Sequence, residues 1–209
     1  VRSYDARFPV FCAWALEFAP VNVSCVLVQP RGDDFLCVGS RSWFFESLPD
    51  CVAIVESKYP FKIGRHILPP ENAPSVWSAL FADLCVFNVA HAPDLADGRR
   101  MLITQAFLSR LAIDTAPHPW DLENNQLLVD SLNGYRVKEQ ANAQDVFSTT
   151  VQASHEQYLA RALEHFAAHE NAAPARGARK HSAPIDYSMQ DRAVICGGRE
   201  LYASMRGNV

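Results

Sequence analysis

Paired metal-ligand motifs are missing from this chain of 209 residues. Its six cysteines, at positions 12, 25, 37, 51, 85 and 196, stand singly, with no C-x-x-C anywhere. That spacing gives no support to a structural zinc site, and a disulfide framework belongs to shorter secreted chains. Five of the six lie inside apolar runs, as in F-C-A-W and L-C-V-F, so buried free thiols in a reducing cytoplasm are expected. No apolar run reaches the ~18 residues of a membrane span, and the first residues, V-R-S-Y-D, carry no apolar signal region. No membrane association and a cytoplasmic location are therefore expected. There is no G-x-x-x-x-G-K-[ST], no G-x-G-x-x-G and no G-x-S-x-G, so nucleotide-fold and serine-hydrolase readings gain no support.

Basic charge is also scarce. The net charge is −4, and residues 71–170 alone carry −7. The only basic concentration is Arg176, Arg179 and Lys180, beside His181. An acidic centre argues against a broad nucleic-acid footprint, which needs a basic face.

What is present describes an ordinary globular protein, with 49% hydrophobic and 20% charged residues. The patterning predicts an α+β fold with an N-terminal antiparallel sheet, a helical middle region and a C-terminal β-hairpin after a linker. Residues 1–170 read as one α+β domain, β-rich over 1–70 and helical over 71–170. Residues 171–184 read as a Pro/Ala/Gly linker, and 185–209 as a hairpin appendage turning at Gly197-Gly198.

Within the first part, residues 8–18 read as a strand and 22–30 as its neighbour. Arg31-Gly-Asp-Asp34 supplies turn chemistry, and the chain returns at residues 35–39. The run Val52-Ala-Ile-Val55 predicts a buried strand ending in Glu56-Ser57-Lys58. Prolines at 60, 69 and 70 then suggest a segment wrapping the sheet edge. Helices are expected near 72–87, 99–112, 122–132 and 141–170.

Three constellations could carry chemistry. Asp34 opens a predicted strand, and Glu56-x-Lys58 closes the apolar strand that follows. Over about twenty-five residues this resembles the metal-dependent nucleases of the PD-(D/E)xK type. The resemblance implies that Asp34 and Glu56 hold Mg²⁺ while Lys58 orients or activates the attacking water. The bland alternative is a strand end with two solvated charges. The second constellation is His165 and His169, at i and i+4 on a helix with Glu156, Glu164 and Glu170 nearby, a spacing that can chelate a transition metal. Its alternative is the polar face of a helix near its C-terminus. The third is a loop set of His91, Asp94, Asp97 and His118, able to supply acid–base groups but tied to no nucleophile.

Trp43-Phe44-Phe45 sends at least one ring away from the core if extended. These rings, or the 193–202 hairpin, are the expected points of contact with a protein partner. With no complete catalytic constellation, the leading expectation is a non-enzymatic accessory or interaction subunit of a cytoplasmic assembly, without a cofactor. The rival is a Mg²⁺-dependent nuclease using Asp34, Glu56 and Lys58.

Overall fold

The computed structural model describes residues 4–18, 21–70, 76–116, 125–134 and 157–172. Turn chemistry organises its first third. Gly32 adopts φ +68°, a left-handed value that costs glycine little. Arg31 therefore pairs directly with Asp34, and strands β2 (Val21–Arg31) and β3 (Asp34–Phe44) run back antiparallel. Strand β1 (Val10–Phe18) lies antiparallel to β2, from Phe11↔Val28 to Phe18↔Val21. The expected N-terminal antiparallel sheet is present, within an α+β architecture.

The expected strand at 51–58 is instead the helix α1 (Leu48–Lys58). Ser47 caps it by accepting the backbone N–H of Asp50 at 3.3 Å, and Pro49 and Asp50 occupy its first turn. Leu48, Cys51, Val52 and Val55 are its buried residues, which is helical spacing. The β-branched run suggested a strand, but the capping signal upstream and the 48–51–52–55 stripe outweigh that propensity.

The segment after α1 is also corrected. It does not skirt the sheet but enters it as β4 (Ile63–Leu68), parallel to β1. Helix α2 (Val76–Asp83) leads to β5 (Val89–His91), parallel to β4. Helix α3 (Asp97–Leu108) leads to β6 (Leu111–Ile113), parallel to β3. Helices α4 (Gln126–Gly134) and α5 (Gln157–Ala172) complete the described chain. The six strands lie in the order β5-β4-β1-β2-β3-β6.

Strand alternation divides the core in two. Cys12, Trp14, Cys25 and Leu27 face α1 and α2, where they pack with Val52, Val55 and Phe81. Ala13, Ala15, Val26 and Val28 face the other way, against Phe107 of α3, Leu128 of α4 and Leu163 and Phe166 of α5. The small Ala13 and Ala15 leave room for α5 to lie close over β1. Helices thus cover both faces of a mixed sheet.

Cys12, Cys25, Cys37 and Cys51 are buried free thiols as expected, but Cys85 is exposed. Its apolar neighbours misled, because α2 ends at Asp83 and Cys85 turns at φ 59°. Of the three consecutive aromatics, Trp43 is buried, whereas Phe44 and Phe45 face solvent. No described helix is long and apolar enough to cross a membrane. The expected linker beyond Ala172 and the 193–202 hairpin lie outside the described residues.

Gly64 marks the closest approach of the segment before β1 to β4. A Cβ there would stand 2.6 Å from Pro9 Cβ and 3.1 Å from the Phe11 ring. Gly64→Ala is expected to destabilise the fold by about 1–3 kcal/mol through overpacking against the rigid proline ring. Urea unfolding checks this, and an unchanged midpoint would mean that the strands part freely there.

Candidate active site

The constellation expected from sequence does not assemble. Asp34 opens β3, whereas Glu56 and Lys58 lie in the last turn and a half of α1, with Lys58 exposed. Glu56 sits over β4, where its Oε1 is 2.8 Å from His66 Nε2. Strands β1 and β2 lie between β4 and β3, so Asp34 is separated from it by at least ~14 Å, three strand spacings. The E-x-K pattern belongs to a helix C-terminus, where a lysine suits the dipole.

Glu56 instead ends a buried relay. Trp14 Nε1 donates to His66 Nδ1 at 3.0 Å. An indole nitrogen can only donate, so His66 Nδ1 accepts, and its proton resides on Nε2, facing Glu56. Both ring nitrogens are thereby engaged. The relay locks β1, β4 and α1 together beneath a groove of about 650 Å³ bounded by Val52, Glu56, Leu84 and Asn88.

A second concentration of polar groups lies at the other face. Strands β1, β4 and β5 run parallel, so their carboxyl ends share one edge, where open sheets place their crevices. The β1–β4 ladder ends at Ala13↔Ile67. Just beyond it a cavity of about 200 Å³ is lined by Ala15, Leu16, Pro69, Arg100, Tyr158, Arg161 and His165.

Two arginines line this cavity, and two carboxylates pair with them. Arg100 pairs with Asp97 in the first turn of α3 and lies 3.9 Å from Glu164 Oε2. Arg161 Nη1 lies 3.5 Å from Glu164 Oε2 and 3.9 Å from Asp97 Oδ1. The Glu164 side chain is only 1% exposed, while that of Arg161 is 35% exposed. A buried carboxylate is tolerated when cations compensate it, and here two guanidinium groups do so.

Histidines close the edge. His165 Nδ1 donates to the Trp14 carbonyl at 2.7 Å, and burial pushes its pKa down to about 4. His91, at the end of β5, lies 2.9 Å from the Pro69 carbonyl through Nδ1 and 2.6 Å from Ser78 Oγ through Nε2. A carbonyl only accepts, so Nδ1 carries the proton and Nε2 accepts from Ser78.

Of the loop set, Asp97 joins the cluster, Asp94 is exposed, His91 has both nitrogens engaged, and His118 lies outside the described residues. The expected His165–His169 metal pair is not supported by a further ligand. His165 is committed to β1, and among the described residues no three His, Cys, Asp or Glu side chains could hold a metal ion together.

Arg100 and Arg161 went unnoticed in the sequence. The i,i+3 spacings of Asp97 with Arg100 and of Arg161 with Glu164 are their local signals.

The carboxylates bear on whether a divalent cation fits. Mg²⁺ commonly takes one or two carboxylates, together with waters and substrate phosphates, and seldom sits in an all-protein cage. Asp97 and Glu164 are of that kind, but neither lines the cavity and both are engaged by Arg100 and Arg161, so this arrangement does not fit a divalent cation. The described residues do not match a cation caged by protein groups alone.

No family model and no curated protein matches this sequence. Solved structures do match. The large terminase of a thermophilic bacteriophage superposes with a TM-score of 0.55 at 12% identity, covering 80% of this chain and 41% of that one. This chain thus spans about two fifths of that protein's length. The nuclease domain of the bacteriophage SPP1 large terminase, with bound manganese, gives 0.53 at 12% identity, covering 78% of this chain and 86% of that one. The large terminase nuclease of the thermophilic phage G20c, with bound cobalt, gives 0.53 at 12% identity, covering 81% and 85%.

At such identities the likeness establishes the fold. It overturns the leading expectation of a non-enzymatic accessory subunit without a cofactor, because the matching domains are nucleases and two were solved with divalent metals. The rival reading gains what that one loses.

His165 gives a pH-dependent signature. Its ordinary pKa of 6.5 falls to about 4 in the fold. Unfolded chains therefore bind its proton below about pH 6.5, while the native state stays neutral until about pH 4. Stability is lost as the pH falls through that window, at about 1.4 kcal/mol per unit and roughly 3 kcal/mol in all. Urea titrations between pH 7 and 4 should show wild type losing this much relative to His165→Asn. A constant difference would mean that the folded protein protonates His165 normally.

Proposed function

We propose that this chain is a divalent-metal-dependent nuclease, with its chemistry at the carboxyl ends of β1 and β4. The observation that carries this reading is the shared fold: the chain covers 86% and 85% of two terminase nuclease domains. The charged cavity at the strand ends supports it. It brings two guanidinium groups together at the strand ends.

Each group has a role suited to its chemistry. Arg100 and Arg161 offer planar, permanently charged forks that match phosphate oxygens. They would bind the nucleic-acid backbone at the cavity and orient the scissile phosphodiester. Asp97 and Glu164, paired with both arginines, would hold these forks in position. His165 is a positioning residue. Its bond to the Trp14 carbonyl fixes the turn of α5 that carries Arg161 and Glu164. Ala15, Leu16 and Pro69 form the apolar floor, which limits water around the charges and strengthens their interactions.

Cleavage of single- and double-stranded DNA and RNA with Mg²⁺ or Mn²⁺ tests this reading. Wild type is expected to cut at least one substrate and to stop when EDTA removes the metal. Glu164→Gln removes the carboxylate that both arginines face and should lower the rate about 10- to 100-fold, as loss of a positioning partner does, with its circular dichroism unchanged. Glu56→Gln preserves an acceptor for His66 and should cut normally. Loss of cutting in Glu56→Gln but not in Glu164→Gln would move the chemistry to the opposite face.

A further inference from the structure

The groove between α1 and the α2–β5 connection takes no part in the chemistry proposed above. It runs along α1 from Pro49 to Ser57, about 12 Å of helix at 1.5 Å per residue. Val52 and Ala53 form one wall, and Leu84, Val86 and Phe87 form the other. Phe87 is 64% exposed, a large ring left in solvent beside an apolar recess. The volume of about 650 Å³ is that of a ligand site.

The groove carries charge of one sign. Asp50 and Glu56 both line it, and no lysine or arginine is among its described lining residues. His66, which also lines it, adds no positive charge. With Nδ1 accepting from Trp14, its one proton sits on Nε2 and points at Glu56. The Glu56 side chain is 30% exposed, and a carboxylate offers about four acceptor sites, more than His66 uses. Nucleic acid does not suit such a groove, since its phosphates need cationic partners. A cation carried between apolar groups does.

We infer that this groove binds an extended segment of another protein, one with an arginine between two large apolar side chains. In an extended chain, residues i, i+2 and i+4 face the same way and span about 13 Å, which matches the length of the groove. The central guanidinium then meets Glu56, whose half-buried carboxylate is screened less than the exposed Asp50. A planar fork suits a carboxylate better than an ammonium does. The flanking side chains cover the Val52–Ala53 wall and the Phe87 ring. The groove lies on the opposite face from Arg100 and Arg161, so this inference does not rest on the nuclease reading.

Cys85 supplies the test, because its exposed thiol lines the groove and reports whether the groove is filled. Its alkylation by iodoacetamide, read by peptide mass mapping, is followed with and without the blocked peptide Leu-Ser-Arg-Ser-Leu at millimolar concentration. Alkylation should slow at least about threefold, the protection a ligand gives at twice its Kd. The same peptide with glutamate in place of arginine should not protect. Glu56→Gln keeps an acceptor for His66 and should lose most of the protection. Ala53→Arg, at an exposed helix position, sets a cation in the groove and should lose it too.

Equal protection by the arginine and glutamate peptides, or protection that persists in both variants, would overturn the inference. Equal protection by butylguanidine would put a small cation in place of the protein segment and overturn it as well. No protection by the arginine peptide would do the same, and cleavage by the wild type would stand in each case.

Discussion

Trp14 is bonded on both sides of the sheet. Its indole N–H reaches His66, and through it Glu56 of α1, on one face. Its carbonyl accepts from His165 of α5 on the other. The position is set by the end of the β1–β4 ladder at Ala13↔Ile67. Beyond that point β1 no longer pairs with β4, and a buried carbonyl must find another partner. α5 supplies it, and its next turn up presents Arg161 to the cavity at the diverging strand ends. A structural obligation of the backbone thereby fixes the register of a helix that carries charged groups.

The two faces of the sheet then do different things. On the α1–α2 side, aromatic rings fill the space: Trp14 stacks on Trp43 and His66 and meets Phe81 edge-on. Every polar atom of His66 is engaged there, so the relay serves to hold elements together. On the α3–α5 side, Phe11 meets Phe166 while Ala13 and Ala15 put short side chains further along β1, and polar groups from two helices lie beyond them. The charged cluster owes its burial to those small residues. Larger side chains on β1 would keep α5 and its glutamate further from the strand.

How much of this was legible follows from the range of the interactions. The β1–β3 meander could be read because alternation and the Gly32 turn are local. The exposed Phe44 beside buried Trp43 was also within reach, since neighbouring residues on an extended chain face opposite ways. The segment 48–58 misled because four β-branched or small apolar residues look alike in either conformation. Ser47-Leu-Pro-Asp50 was the decisive capping signal, and it lies outside the run that drew attention. The strand-end cluster was out of reach for a different reason. Asp97 and Arg100 come from α3 and Arg161 and Glu164 from α5, and only the fold brings the two pairs together. Within each pair the i,i+3 spacing is visible but commonplace.

The sheet ends at both margins in strands of only three residues, β5 and β6. At β5 and β6 themselves an incoming strand from another molecule would find only a three-residue ladder to extend, and such short edges are one way natural sheets resist edge-to-edge association. Strand β3 differs, because β6 pairs with only Phe35, Leu36 and Cys37 of its eleven residues, so most of its outer edge runs on past that short neighbour. Of the long strands, β2 is the one held on both sides along most of its length. Any association through the sheet edge would therefore fall on β3.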